Sequence, residues 1–127
     1  MERAKFAPQT VLALMPLFAS MSPLELARIA EGTTEMHVDR GDMIFQRGDP
    51  CTGFHLVIYG QVKLAAGAAN GAEKIIELIG PGHSFGEALM FMEKPYIVSA
   101  TALADTLLLH VSAEAVFEGI ARDPSFA

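Results

Sequence analysis

Between His83 and Ala102 the chain reads HSFGEALMFMEKPYIVSATA, and Gly86, Glu87, Ser99 and Thr101 give that stretch the outline of a phosphate cradle. A glycine opens a short helical turn, and a pair of hydroxyls enters a strand. Such a site works by convergence: backbone N–H groups, a hydroxyl and an arginine fork point at the anion, while a carboxylate takes a sugar hydroxyl. The stretch contains no arginine. Lys94 is no substitute, because it stands between Glu93 and Pro95, where a solvated turn is expected, and an ammonium offers no bidentate fork.

The other residues able to do chemistry are dispersed. A metal centre needs several histidines and a carboxylate converging, typically with two histidines one residue apart, and His37, His55, His83 and His110 form no such pair. His37 and His110 alternate with the apolar Met36, Val38, Leu109 and Val111, which predicts outward-facing rings. His83 stands at the entrance of the cradle. Cys51 is the only cysteine, which rules out an intrachain disulfide, a thiolate-only iron–sulfur site and a cysteine-rich zinc site within one chain. It follows Asp49-Pro50 with no base beside it and reads as a turn residue, not a nucleophile. No serine nucleophile motif is present, and an enzyme is not expected.

The elements that must position these residues change period along the chain. Val11, Leu14, Met15 and Phe18 fall at helical spacing and predict a short amphipathic helix over residues 9–19, bent or ended near Pro16. Ser22-Pro23-Leu24-Glu25 is a capping box, with Leu24, Leu26, Ile29 and Ala30 as the buried side of a second helix reaching Gly32. Beyond Gly32, the runs TEMHVD, MIFQ, FHLVIY, QVKLAA, KIIELI, IVSATAL and TLLLHV read as strands. Turn residues separate them at Gly41-Asp42, Gly48-Asp49-Pro50, Gly60, Asn70-Gly71 and Gly80-Pro81-Gly82.

Many short strands between glycines indicate a mainly β protein, an antiparallel jelly roll (double-stranded β-helix) with short helices before and after it. From Ser112 the pattern returns to helix, with Ala115, Val116 and Ile120 on the packing side, and Asp123-Pro124 then has the look of another helix start. The expected organisation is a helical lead over 1–32, a β-roll over 33–111 carrying the cassette 82–102, and a helix with the start of a further one over 112–127. A helix begun in the last residues predicts a fragment of a longer protein.

Composition narrows the partners. A chain of 127 residues with 51% hydrophobic and 19% charged residues can bury one core. Nine Lys and Arg against 15 Asp and Glu give a net charge of −6 without any basic stripe, which argues against nucleic-acid binding by this chain alone. No apolar run is long enough to span a membrane. Arg3 and Lys5 before VLALMPLFAS resemble a short signal peptide, but Glu2, Pro16 and the helix start beyond favour a folded helix and a cytoplasmic location.

Helices flanking a glycine-punctuated roll, with LFASMSPLELARIA, then RGDMIFQRGDPCTGFHLVIYGQVKL, then GPGHSFGEALMF followed by VSATA, resemble the sensor domain of Crp/Fnr-type bacterial transcription regulators. These lie within the larger cyclic-nucleotide-binding-domain family. The resemblance implies a domain that senses a small-molecule effector, a homodimer formed through a helix beginning near Asp123, and DNA reading only by a helix-turn-helix region outside this chain. The alternatives are a regulatory module of the same fold in a channel or kinase and, more remotely, a cupin-like metalloenzyme.

The resemblance assigns ligand binding to Phe85, Gly86, Glu87, Ala88, Val98, Ser99 and Ala100. Gly86-Glu87 match the family's Gly-Glu and Ser99-Ala100 its Ser/Thr-Ala, but Val98 stands where the phosphate-binding arginine belongs, and the loop from Met90 to Ile97 is slightly long. Two charge-assisted hydrogen bonds are worth roughly 3–6 kcal/mol, or two to four decades of affinity. Cyclic nucleotide is therefore not the expected effector. Two readings stay open: Phe85, Leu89, Met90, Phe91, Ile97 and Val98 fill the roll, or they line an apolar, Met-rich pocket suited to a planar ligand such as haem. The segment FGEALMFMEKPYIVSATA resembles the haem-dependent, nitric-oxide-responsive regulators of denitrification. Any of the four histidines could supply an axial nitrogen, with His83 at the cassette entrance. Glu87 either meets ligand or satisfies backbone N–H groups and holds the loop.

Overall fold

The structure, a computed structural model, describes residues 7–67 and 71–122. These form two compact units: one comprises the described residues through Thr34 together with those from Val111 on, the other Glu35–His110.

In the helical unit, α1 (Pro8–Ala13) begins at a proline and is followed by a 3-10 turn at Pro16–Phe18. The single helix expected over 9–19 is thus two pieces, because Pro16 cannot continue an α-helix and starts a tighter turn. The change of pitch moves the buried side to Leu12, Met15 and Phe18, and leaves Leu14, expected inside, 82% exposed. The second helix, α2 (Pro23–Glu31), has its predicted cap: the Ser22 hydroxyl accepts from the Glu25 N–H at 3.2 Å. Its other expected half, the Glu25 carboxylate, binds Arg28 and Arg122 instead, each at 3.1 Å. Leu26 and Ile29 are buried, whereas Leu24, expected beside them, points out from the first turn.

The last helix, α4 (Ala113–Arg122), buries Val116 and Gly119. Ala115 and Ile120, expected on its packing side, are half-buried. Small residues let α2 and α4 approach: a Cβ on Gly32 would stand 2.6 Å from the Ala115 Cβ. The helix expected from Asp123 lies outside the described residues.

The strands are β1 (Thr33–Val38), β2 (Met43–Phe45), β3 (Gly53–Tyr59), β4 (Val62–Gly67), β5 (Glu73–Ile79), β6 (Ser84–Phe85), β7 (Ser99–Ala102) and β8 (Thr106–Ser112). They form two four-stranded sheets, ordered β1-β8-β3-β6 and β2-β7-β4-β5, the interleaving of a jelly roll. The mainly β, antiparallel fold is as expected, and all the predicted runs contain strands; only the two-residue β6 had no strand-like run of its own. The turns do what their glycines allow. At Gly60, with φ +95°, a Cβ would sit 2.6 Å from the Asp105 carbonyl oxygen. The roll's interior gathers Phe45, Val57, Val62, Phe85, Tyr96, Ala100 and Leu108, so both ends of the cassette are anchored in it.

Candidate ligand cassette

The first end of the cassette hangs from β3. Backbone pairing of β6 with β3 joins His55 to Phe85 and Leu56 to Ser84. Gly86 then takes a left-handed turn, φ +96°, and α3 (Glu87–Phe91) follows as little more than one turn of helix. Glu87, expected to satisfy backbone N–H groups or meet a ligand, accepts a hydrogen bond from the Ser84 hydroxyl. That bond holds the loop's shape by a different route. Ala88 is exposed and Met90 buried. Beyond α3 the Lys94 N–H returns to the Leu89 carbonyl at 3.0 Å, leaving the Lys94 side chain in an exposed turn, as expected.

The second end is anchored by an aromatic residue. Tyr96 donates its N–H to the Asp49 carbonyl at 3.0 Å, and its own carbonyl accepts from Gly48 N–H at 2.8 Å. Its ring stacks on Phe45 with centroids 3.5 Å apart and planes 4° from parallel. Burial raises the Tyr96 phenol well above its usual range, with the Cys51 thiol adding to the effect. Val98 packs half-buried against the core. Ala100 and Ala102 point into the roll, so Ser99 and Thr101 share the opposite face of β7. The Ser99 hydroxyl is already committed, donating to the Ala65 carbonyl at 3.3 Å.

Of the seven residues assigned to ligand binding, Phe85, Val98 and Ala100 therefore come together in the core, and Gly86 shapes the entry. Glu87 and Ser99 are engaged locally, and Ala88 faces outward. The arrangement offers apolar surface and backbone, and the one Lys or Arg within residues 83–102, Lys94, is exposed.

The histidines have separate fates. His37 is exposed, and its Nε2 shares a hydrogen bond with the Tyr59 hydroxyl at 2.7 Å. His83 is exposed at the turn before β6. His110, expected outside, is half-buried: its ring lies 5.0 Å from that of His55, and its Nε2 shares a 3.2 Å hydrogen bond with the Thr52 hydroxyl. Strand alternation misleads here because β8 is buried on both faces. His55 itself is enclosed, with Phe85 stacked at 5.1 Å. Burial, with the charge of His110 second, lowers its pKa to about 3, and burial lowers that of His110 too. The Cys51 thiol donates to the Gly53 carbonyl at 3.3 Å. Among the described residues, no group of three or more His, Cys, Asp or Glu could hold a metal ion. Sequence reasoning missed the Phe45–Tyr96 and His55–Phe85 contacts, whose partners lie far apart in the chain.

This roll and cassette define the class. The profile of the cyclic nucleotide-binding domain family matches residues 35–123, and the chain belongs to that family. Within it, the chain is similar to the sensor domain of the transcriptional regulator DNR from Pseudomonas aeruginosa, with a TM-score of 0.87 and 29% identity over 93% of this chain and 79% of that one. It is 26% identical to the CRP-like cAMP-activated global transcriptional regulator of Mycobacterium tuberculosis over 117 residues, 92% of this chain and 52% of the relative. It is also 28% identical over 118 residues, 93% of this chain, to a protein described as a potassium channel of Rhodopseudomonas palustris, of which it spans 28%. The chain thus spans about half, or less, of the curated relatives it matches. These relatives are regulators and a channel. No helix among the described residues is long and apolar enough to cross a membrane.

Proposed function

We propose that this chain is the effector-sensing domain of a Crp/Fnr-type transcription regulator, and that its effector is a small apolar or planar molecule, not a cyclic nucleotide. One observation carries the second half: Val98, half-buried against the core, occupies the position that the resemblance gives to the phosphate-binding arginine. A phosphate there would meet an apolar wall and the carboxylate of Glu87, and burying an unpaired charge is costly. The likeness to the DNR sensor domain supports the first half.

Haem is one ligand this chemistry suits, and His83 is the exposed ring at the cassette entrance that could supply its axial nitrogen. Phe85 and Ala100 are closed into the core, so seating so large a plane requires the cassette to move. A saturable one-to-one Soret shift that weakens in His83→Ala supports haem with this ligand; a flat titration excludes haem binding by this chain.

Dimerisation through a helix beginning near Asp123 and DNA reading by a region beyond Ala127 belong to the same proposal, as does a cytoplasmic location. The net charge of −6 supports that division of labour. In a gel-shift titration the 127-residue chain should leave duplex DNA unshifted at physiological salt, while a chain extended to the length of the regulator relatives should bind a specific site. The likeness to the potassium channel favours a second reading, a regulatory module of a channel. Extended protein that never binds DNA would favour it.

A further inference from the structure

The roll's interior holds a titratable group that the effector site does not use. His55 is 4% exposed, and its Nδ1 has no hydrogen-bond partner. Its ring lies 13° from parallel to Phe85, at 5.1 Å, and tilted against Phe45 at 5.8 Å. His55 and Phe85 are also backbone partners, and with Leu56 and Ser84 they make up the whole register of β3 with β6. That strand runs directly into Gly86 and α3. One imidazole thus lies against the side chain that seats the entrance of the cassette.

We propose that His55 is a proton-operated latch on the cassette: neutral, it stacks on Phe85 and keeps β6 on β3; protonated, it leaves the core, and β6 lifts with the cassette. The groups around it would not stabilise a charge. From β8 comes the ring of His110, 5.0 Å away, and a proton on either ring opposes one on the other. From the loop before β3 and from the cassette come Cys51 and Tyr96, whose thiol and hydroxyl both donate to the Gly53 carbonyl. β2 and β6 present Phe45 and Phe85. Glu87 is held by Ser84, which alternates with Phe85 and points to the other face of β6, and the Asp49 carboxylate accepts from Gln46 N–H at 2.8 Å. Among the described residues no carboxylate pairs with His55 or His110.

The sign follows from linkage. An imidazole released to water binds its proton below about 6.5, whereas the enclosed one stays neutral until about 3. Between these values the lifted form takes up a proton that the closed form refuses, so the opening constant rises by up to about tenfold per pH unit.

Amide hydrogen exchange followed by NMR on the 127-residue chain tests this. The reporters are Val57 N–H, bonded to the His83 carbonyl, and Gly82 N–H, bonded to the Val57 carbonyl. After correction for intrinsic rates, their protection should fall about fiftyfold between pH 6.5 and 4.5, and it should stay well below that of amides paired between β4 and β5, which open only with the whole fold. In His55→Phe, which keeps the aromatic stack, the fall should vanish. The same slope in the variant, or exchange of Val57 and Gly82 no faster than that of the β4–β5 amides, overturns the latch. Should the variant not fold, the ring nitrogens of wild-type His55 decide: a neutral ring in the closed form at pH 5 is expected. A ring that titrates near 6.5 with Val57 and Gly82 still protected contradicts the proposal.

Discussion

At its first end the cassette keeps a backbone shape: β6 pairs with β3, Gly86 turns left-handed, and Ser84 ties down Glu87. At its second end it is held by packing: Val98 leans on the core, Tyr96 stacks on Phe45, and residues 83–102 include no arginine. The contrast separates two things a binding loop needs. Shape comes from glycine, strand pairing and a local hydrogen bond, none of which requires a ligand. Affinity for a given ligand comes from a few side chains, and on the proposed reading of Val98 the loop keeps its turn while lacking the charge that would hold a phosphate.

If the second end is held mainly by packing, its aromatic anchor should matter most. Tyr96→Ala removes a buried ring and its stack on Phe45, and should destabilise the chain by about 3–5 kcal/mol in urea unfolding. A loss under about 1 kcal/mol would mean that the loop is held by its backbone bonds alone. The next effect lies where the first end meets the core. The folded pKa of His55, about 3, is below the unfolded value, so the unfolded chain binds more protons between about 3 and 6.5. Stability is complete above about 6.5 and should fall by about 1.4 kcal/mol per pH unit below it, close to 3 kcal/mol by pH 4.5. That part of the acid sensitivity should be missing in His55→Phe. A smaller effect tests the turn: Gly86→Ala forces a side chain into the left-handed region and should cost about 1–2 kcal/mol. Its Cβ would meet only ordinary contacts, 3.7 Å from the Gly53 oxygen, so a much larger loss would point to something other than strain.

The difference between the two ends also marks what could be read from residue order. The turn at Gly86, the short helix after it and the strand that begins at Ser99 were legible because the cassette is contiguous and its spacing carries its shape. The strands were legible from the glycines that separate them. The helical lead was less so: Pro16 changes the pitch, and a 3.6-residue period carried across it puts Leu14 inside when Leu12 is the buried residue. His110 was misplaced because alternation gives an outside face only to a strand with one face in solvent, and β8 has none. The pairings of Tyr96 with Phe45 and of His55 with Phe85 and His110 join residues up to 55 positions apart, so no local pattern announces them.

The contrast between the ends rests on Val98, and calorimetry with cyclic AMP and cyclic GMP probes it most directly. The unmodified protein should show no saturable binding of either below millimolar concentration. Val98→Arg should raise affinity for one of them by about tenfold, short of the two to four decades of an intact arginine fork, because the loop is long and the new guanidinium has Glu87 as a competing partner. Micromolar binding of either nucleotide by the unmodified protein would contradict the account, because Val98 would then not stand at the phosphate.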